Sequence, residues 1–291
     1  MEYKFFIVDA FTNKAYQGNP AGIVIDQGEL QEEDCLKIAR ELKMSETAFI
    51  ERLDKDDYRI RYFTPVEEVD LCGHATIASF YLLASYQYIE GLEEGTKQVL
   101  ARTKAGNLPI FLDYKRGKID KVTMVQARPE EGGFVRDLEK IAPLFGISTE
   151  DLGFEGLEAE KISTGIMDLM LPLKNRQTLE KLQADREKII AFSKEEEVYS
   201  IHAFTLDGDW VYQRNFSPIL GIDEEAATGT STGALFHYLA KHRGLEDLQA
   251  KQGLEMGRES KLYASYREVK GEKRITVGGQ AAIVGEGVLH V

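Results

Sequence analysis

The same ordered pattern occurs once in each half of this chain, and it constrains the fold more than any other feature. In the first copy, Phe63-Thr64-Pro65 is followed by acidic residues, by the small-residue turn Cys72-Gly73-His74-Ala75-Thr76 and by an apolar stretch that predicts a helix. In the second copy, Phe216-Ser217-Pro218 is followed by acidic residues, by the turn Ala227-Thr228-Gly229-Thr230-Ser231 and by another apolar stretch. The matched order indicates a duplicated domain.

Length and element order define the expected architecture. A single hydrophobic core rarely grows beyond about 250–300 residues, so a chain of 291 residues is expected to form two domains. We place them at residues 1–126 and 127–291, with the option that the last strand returns to the first domain. Strand-like segments surround a few helical ones without regular strand–helix alternation, which predicts an α+β fold.

Five local predictions follow from periodicity and from turn residues. Helices are expected over residues 73–88, 137–145 and 234–242. One long strand is expected over residues 161–173, and Gly132-Gly133 is expected to end the first half of the chain.

The charge balance excludes several classes of partner. Thirty-six basic and 49 acidic residues leave a formal net charge of -13, which repels nucleic-acid phosphates and anionic membranes. The sequence shows neither a secretory segment nor an apolar run long enough to cross a membrane, and two cysteines cannot form a disulfide framework. A globular, cytoplasmic protein without nucleic-acid or membrane partners is therefore expected.

The two turns predict a binding site for a small anion. A helix that begins with glycine and small residues, as at Gly73 and Gly229, leaves its first backbone N–H groups accessible to a ligand. The helix dipole adds about half a positive charge there, so a carboxylate can bind without a lysine patch. If the two halves face each other, both helix starts point into one cleft. The alternative is that both turns are ordinary helix caps.

Three places near these turns need an explanation: Glu46, His74 and the pair Glu224-Glu225. Glu46 precedes the apolar run Thr47-Ala48-Phe49-Ile50, where loss of water favours a protonated carboxyl group and allows proton exchange near neutral pH. The residues alone also allow a solvent-facing or capping Glu46, a surface His74 and a solvated acidic loop at Glu225.

Several short motifs stand in an order that resembles one protein family. They are Gly18-Asn19-Pro20-Ala21, Ser45-Glu46-Thr47-Ala48-Phe49, Arg61-Tyr62-Phe63-Thr64-Pro65, Cys72-Gly73-His74-Ala75-Thr76, Phe216-Ser217-Pro218, Glu225-Ala226-Ala227-Thr228-Gly229, residues 252–258 and Val277-Gly278-Gly279. Together they resemble the phenazine biosynthesis isomerase-like (PhzF-like) family from about Val8 to Gly287. The resemblance implies the diaminopimelate epimerase-like fold, in which two pseudo-symmetric domains each wrap a curved β-sheet around a central helix, with the site between them.

The resemblance also implies roles for the matching residues. In the family's isomerase, the glutamate of the Ser-Glu-Thr motif is the general acid/base that moves a proton along an anthranilate-like skeleton, while the Gly-His pair binds and orients the substrate. The predicted catalytic residues are therefore Glu46, His74 and Glu225. The predicted substrate-binding residues are Asn19, Ser45, Gly73, Gly229 and Thr230.

Two of these positions depart from the family pattern. Glu225 stands where the isomerase carries an aspartate, and Thr230 stands where a serine is usual. The longer side chain at Glu225 moves a carboxylate by about an ångström, which is enough to change which substrate fits.

The predicted function is that of an isomerase that needs neither a cofactor nor a metal ion. It shifts a proton on a small carboxylate, with Glu46 as general acid/base. His237 and His242 are spaced for different faces of one helix and no Cys/His cluster is visible, so no metal site is predicted. A homodimer is expected from the resemblance. The alternatives are a carboxylate-binding protein of the same fold without turnover, and an amino-acid epimerase or racemase.

The epimerase alternative requires two thiols on opposite sides of one carbon atom. Cys72 matches the first thiol, but Thr228 occupies the second position, and a threonine hydroxyl is a poor proton acceptor. Cys35 cannot replace it, because its helical spacing with Ile38 and Leu42 predicts a core position. Two-thiol chemistry is therefore disfavoured.

Overall fold

The computed structural model describes residues 1–291. The α-helices are Glu32–Leu42 (α1), Gly73–Ser85 (α2), Leu138–Ile141 (α3), Arg176–Lys181 (α4), Arg186–Glu196 (α5) and Gly229–Arg243 (α6). The strands are Glu2–Ala10 (β1), Asn19–Asp26 (β2), Thr47–Asp54 (β3), Asp57–Phe63 (β4), Glu68–Val69 (β5), Glu94–Thr103 (β6), Gly106–Lys115 (β7), Lys118–Val125 (β8), Glu130–Phe134 (β9), Glu160–Ser163 (β10), Met167–Pro172 (β11), Ser200–Asp207 (β12), Trp210–Ser217 (β13), Ile222–Glu225 (β14), Asp247–Gln252 (β15), Ser260–Val269 (β16), Glu272–Gly279 (β17) and Ala281–His290 (β18). None of the helices has the length and apolar character needed to span a membrane.

The chain divides into two compact units. Met1–Val125 and Gly278–Val291 form the first unit, and Gln126–Val277 form the second. The last strand, β18, pairs antiparallel with β1 along its whole length. Both units combine helices and sheet without regular strand–helix alternation, which confirms the predicted α+β class.

The two units repeat the same order of strand pairings. In the first unit, β2 runs parallel to β3, β3 antiparallel to β4, β4 parallel to β6 and β6 antiparallel to β7. In the second unit, β11 runs parallel to β12, β12 antiparallel to β13, β13 parallel to β15 and β15 antiparallel to β16. In the first unit, the short strand β5 pairs with β4 and precedes α2. In the second unit, the short strand β14 pairs with β13 and precedes α6. The repeated topology supports the duplication that the sequence predicts.

Each unit packs its sheet around one helix. Ten of the thirteen residues of α2 and eight of the fifteen residues of α6 are buried, so these helices must be covered on most sides rather than along one stripe. Strands β1, β2, β3, β7, β8 and β18 contact α2, and β10, β11, β15 and β16 contact α6. This is the central helix expected of each domain.

The core position predicted for Cys35 is confirmed. Its side chain is fully buried and packs in a cluster with Ile38, Phe49 and Phe63. Burial raises the pKa of the Cys35 thiol to about 12, so the thiol stays protonated and behaves as a small apolar side chain.

The prediction of one strand over residues 161–173 is wrong. The segment forms two antiparallel strands, β10 and β11, which reverse direction so that Ser163 lies opposite Met167. The Ser163 hydroxyl accepts a hydrogen bond from the Gly165 backbone N–H at 3.1 Å. This side-chain bond offers the backbone an alternative to a continuous ladder and stabilises the turn.

Two further boundaries in the second unit differ from prediction. Residues 137–145 are not one helix: α3 ends at Ile141, and a 3-10 turn, Ala142–Leu144, follows because Pro143 has no N–H to continue the helix. Gly132-Gly133 does not end the first half but lies inside β9, where two residues oppose one on β10 and Gly133 has a φ of +88°. A bulge of this kind favours glycine.

The second central helix begins earlier than predicted. We expected it over residues 234–242, but α6 starts at Gly229. Its first turn closes when the Thr232 backbone N–H donates to the Thr228 carbonyl at 3.0 Å. The small polar residues of this turn show no apolar period, so the predicted helix began too late. The structure shows that they belong to the helix.

Candidate active site

Glu46 lies in the link between α1 and β3, and a neighbouring strand fixes its backbone. Lys43 ends α1 in the left-handed conformation, with a φ of +55°. The Glu46 carbonyl then accepts a hydrogen bond from the Gly22 backbone N–H at 3.2 Å, just before β3 joins β2 in parallel register. A Cβ at Gly22 would lie 2.9 Å from Thr47 Oγ1, so glycine allows the close approach that fixes Glu46.

The first turn of α2 is held by buried hydroxyl groups. Thr76 Oγ1 donates to the Cys72 carbonyl at 2.6 Å, and the Tyr62 hydroxyl lies 2.5 Å from Thr76 Oγ1. Burial raises the pKa of Tyr62 well above its ordinary value, so the phenol remains a donor to Thr76. No side chain caps the first N–H groups of α2, which leaves them for a ligand.

Glu46 and His74, two of the predicted catalytic residues, are in contact. His74 Nε2 lies 3.3 Å from Glu46 Oε2, and the two side chains are only 9% and 18% exposed. Cys72 Sγ lies 3.5 Å from His74 Nδ1. Glu46 Oε2 is shielded from water and, despite the nearby His74, makes no aligned hydrogen bond. This oxygen is therefore suited to take up a proton from a ligand.

Gly73 faces open space beside this pair. A Cβ added at Gly73 would have no neighbour within 4 Å, whereas a Cβ at Gly278 would lie 1.9 Å from the Val122 carbonyl oxygen. Packing therefore explains the glycine at 278 but not the glycine at 73. The free space at Gly73 is what a ligand that approaches the helix backbone requires.

In the second unit, the adjacent residues Glu224 and Glu225 differ in their surroundings. Both carboxylate oxygens of Glu224 accept hydrogen bonds from the buried Arg214 guanidinium at 2.8 Å, and Arg214 also donates to the carbonyls of Leu179 and Leu182. Glu224 is thus a structural residue. Glu225, half-buried at the end of β14, stays a predicted catalytic residue.

Gln252, which sequence reasoning did not identify as a site residue, fixes the turn between β14 and α6. Its Nε2 donates to the Glu225 carbonyl at 2.8 Å and to Thr228 Oγ1 at 3.1 Å. Its Oε1 accepts from the Thr228 backbone N–H at 3.2 Å and from Gln213 Nε2 at 2.9 Å. The side chain is fully buried, and both amide hydrogens and the oxygen are used. No local pattern marks a glutamine with such long-range partners.

The remaining predicted site residues lie near these elements. Gly229 and Thr230 open α6, which no side chain caps, and the Thr230 carbonyl accepts a hydrogen bond from the Thr164 hydroxyl at 2.8 Å. Asn19 is buried at the first residue of β2, and Ser45 is exposed next to Glu46. The structure thus brings together Glu46 and His74 in the first unit, and gathers Glu225, Gly229 and Thr230 on one turn of the second.

Sequence comparison assigns the family. The sequence model of the phenazine biosynthesis-like proteins (PhzC-PhzF) matches residues 8–287. The chain belongs to the PhzC-PhzF family. A trans-2,3-dihydro-3-hydroxyanthranilate isomerase of Pseudomonas aeruginosa is 30% identical over 293 residues, which covers 98% of each chain. An uncharacterized isomerase of Bacillus subtilis is 35% identical over 282 residues, which covers 94% of each chain.

Solved structures agree with this assignment. A PhzF-family phenazine biosynthesis protein of Bacillus anthracis superposes with a TM-score of 0.88 at 30% identity, over the whole of both chains. A hydroxyproline epimerase of Agrobacterium vitis superposes with a TM-score of 0.63 at 14% identity, over 99% of this chain and 92% of that chain, which shows a shared fold alone. The predicted PhzF resemblance and epimerase-like fold are confirmed, and the chain is an isomerase of the PhzF type.

Proposed function

We propose that this PhzF-type isomerase shifts a proton on a small carboxylate-bearing substrate without a cofactor, and that Glu46 is the general acid/base. The placement of Glu46 Oε2 carries the proposal: the atom is shielded from water, has no aligned hydrogen bond and lies 3.3 Å from His74 Nε2. An oxygen without a hydrogen-bond partner is available to accept a proton from a substrate.

The two central helices support a carboxylate as the bound group. Neither α2 nor α6 has a side-chain cap, and neither has an acidic residue in its first turn. The positive end of each helix dipole and the first N–H groups are thus available to an anion. In this proposal Gly73, Gly229 and Thr230 bind the substrate through these helix starts, and Asn19 and Ser45 add polar contacts.

The proton shift needs one carboxyl group that acts twice. Glu46 removes a proton from an activated C–H bond, and the electron pair left on carbon moves into an adjacent double bond. The same carboxyl group then returns the proton at the far end of the shifted system, so no net charge, electron or atom is gained. His74, whose Nε2 lies 3.3 Å from Glu46 Oε2, orients the substrate. Because one group acts in both steps, the proton leaves and returns on the same face.

Glu225 is proposed to choose the substrate rather than to move the proton. Gln252 fixes its backbone carbonyl on one side, and the neighbouring ion pair of Glu224 with Arg214 fixes the strand on the other. Because this backbone is fixed, the Glu225 carboxylate favours substrates that place a polar group within about an ångström of the position it can contact.

The test combines binding with turnover. The protein is titrated with small cyclic and α-substituted carboxylates, beginning with trans-2,3-dihydro-3-hydroxyanthranilate, the compound in the name of the Pseudomonas relative. Thermal stabilisation reports binding, and NMR spectroscopy of the ligand reports isomerisation. We expect Glu46→Gln to bind the same carboxylates and to lose turnover. Turnover retained in Glu46→Gln contradicts the role of Glu46, and binding without turnover by the parent protein supports the binding-protein alternative instead.

A further inference from the structure

The start of α2 brings together three side chains with different metal-binding atoms. A carboxylate oxygen of Glu46, the sulfur of Cys72 and a ring nitrogen of His74 lie within 4.8 Å of one another. The sequence predicted no metal site because it shows no Cys/His cluster. The fold adds Glu46 to Cys72 and His74. We propose that these three residues form a binding site for Zn²⁺, and that a bound zinc ion inhibits the isomerase.

The three ligand atoms match the preferences of zinc rather than those of other common divalent ions. Zinc binds thiolate sulfur, imidazole nitrogen and carboxylate oxygen, and sites with three protein ligands leave a fourth position open. Mg²⁺ and Ca²⁺ prefer oxygen ligands alone, so sulfur and nitrogen at two of the three positions select against them.

The observed spacing is close to that of a zinc tetrahedron. With zinc bonds of about 2.0–2.3 Å, the nitrogen and oxygen ligands of one ion lie about 3.3 Å apart, and the sulfur and nitrogen ligands about 3.6 Å apart. Here His74 Nε2 lies 3.3 Å from Glu46 Oε2 and 3.8 Å from Cys72 Sγ. All three ligand atoms lie within 4.8 Å of one another, so side-chain rotation closes at most about 1.2 Å more before all three bind one ion.

Charge also favours a divalent ion at this buried place. An ionised Glu46 and a Cys72 thiolate together carry two negative charges, which a Zn²⁺ ion balances. Cys72 is the N-cap residue of α2, so its sulfur lies at the positive end of the helix dipole.

The inhibitory part of the inference rests on the proposed function, whereas zinc binding itself does not. A zinc ion bound through Glu46 Oε2 occupies the oxygen that is proposed to take the substrate proton. It also removes His74 from the substrate. Zinc and turnover therefore exclude each other, and removal of the ion with a chelator restores activity.

Direct binding is tested with Co²⁺ in place of zinc, on protein without an affinity tag. We expect one Co²⁺ ion per chain, a thiolate-to-cobalt charge-transfer absorption band, and displacement of cobalt by Zn²⁺. Cys72→Ser should abolish the band, and His74→Asn should weaken binding about tenfold or more. Cys35→Ala, which removes the core thiol, is the matched control and should keep the band. Circular dichroism spectra of all variants check that they fold.

Activity is measured separately on any substrate that the parent enzyme turns over. We expect Zn²⁺ to inhibit at the concentrations that displace cobalt. No cobalt binding, or a band that survives in folded Cys72→Ser, overturns the zinc site and leaves the proposed role of Glu46 untouched. Zinc binding without inhibition overturns the inhibitory part, and it contradicts the proton transfer by Glu46 as well.

Discussion

Gly73 and Gly278 show, at the scale of single residues, how a glycine can serve either a ligand or the fold. A Cβ at Gly278 would overlap the Val122 carbonyl, whereas a Cβ at Gly73 would enter empty space. The sequence alone does not distinguish a glycine required by packing from one that leaves room for a ligand. Only the three-dimensional surroundings separate the two.

The glycine contrast leads to a first prediction. Gly73→Ala should leave stability unchanged or raise it by up to about 1 kcal/mol, because alanine loses less backbone freedom on folding. It should raise the substrate KM, because the methyl group occupies ligand space. Gly278→Ala should lower stability instead. Unfolding by urea and steady-state kinetics measure both effects, and a Gly73→Ala variant with an unchanged KM would remove Gly73 from the binding site.

The departures from the family pattern lead to a second prediction. Combining Glu225→Asp with Thr230→Ser shortens one side chain and removes one methyl group at the start of α6. If these residues select the substrate, the double variant should turn over trans-2,3-dihydro-3-hydroxyanthranilate at least about tenfold faster than the parent. Glu224→Asp, which alters the neighbouring structural carboxylate, is the matched comparison. Equal kcat/KM in parent and double variant would show that these positions do not set specificity.

Glu46 and His74 could be predicted from their motifs, but the position of both within 4.8 Å of the Cys72 sulfur could not. Cys72 lies beside Gly73 in a turn rich in small residues. In such a turn, a cysteine is explained by its small side chain and need not bind a ligand. The pairing of β2 with β3 and the link before β3 place Glu46 next to that turn. Because this proximity depends on strand pairing across the chain, local sequence carries no signal for it.

At the scale of elements, the turn between β14 and α6 depends on Gln252. The amide makes two hydrogen bonds to Thr228 and one to the Glu225 carbonyl. Two of these three bonds are made to backbone atoms. The Gln252 side chain therefore supplies hydrogen bonds to the backbone where the strand pairing of β14 ends.

Replacement of Gln252 gives a third prediction. Gln252→Leu leaves buried polar partners unpaired and should lower the free energy of unfolding by about 2 kcal/mol or more. Below the unfolding temperature it should raise KM more than it lowers kcat, because the displaced turn binds substrate while Glu46 is intact. Gln252→Glu keeps the acceptor oxygen and should show an intermediate KM. Gln249→Leu, at an exposed position of the same strand, is the control, and an equal KM in Gln249→Leu and Gln252→Leu would contradict this role.

Elements that follow a clear period were predictable, and those that depend on one side-chain contact were not. The start of α2 at Gly73 follows its sequence pattern. The reversal between β10 and β11 depends on the Ser163 hydroxyl, in a run that otherwise looks like a single apolar strand. The late predicted start of α6 has a different origin, because its first turn consists of Gly229 and small polar residues that show no apolar period.

At the scale of the whole molecule, stability depends on a buried polar network in the second unit. Asn215 Nδ2 lies 3.0–3.1 Å from Ser200 Oγ, Ser231 Oγ and His202 Nδ1 and shares its two hydrogens among them. The Ser200 hydroxyl donates to Asp168. Burial raises the pKa of Asp168 from 3.8 to about 7, although hydrogen bonds from Ser200 and Ser231 oppose the rise. Burial also lowers the pKa of His202 from 6.5 to about 4. Between these values the network is uncharged.

The two shifts act on stability with opposite signs. Asp168 binds its proton more tightly in the folded protein, so its contribution is present below about pH 4 and is lost as pH rises to about 7. His202 binds its proton less tightly in the folded protein, so its contribution is present above about pH 6.5 and is lost as pH falls to about 4. In the parent protein the two dependences largely cancel in this range.

Asp168→Asn separates the two and gives a fourth prediction. The amide has no proton to lose, so the free energy of unfolding of the variant minus that of the parent should rise by about 1.4 kcal/mol per pH unit between pH 4 and 7. Above pH 7 the difference should level off. Urea unfolding at several pH values measures it. A difference that does not change with pH would contradict a protonated Asp168 in the folded protein.

The central claim is that Glu46 removes and returns a proton, and solvent deuterium tests it most directly. The enzyme and a carboxylate that it isomerises are incubated in D₂O, and NMR spectroscopy follows deuterium at the carbon that receives the proton. We predict incorporation by the parent enzyme and by Glu41→Gln, an exposed carboxylate on α1. We predict a loss of about 100-fold or more in Glu46→Gln. Incorporation by Glu46→Gln as fast as by the parent would contradict the account.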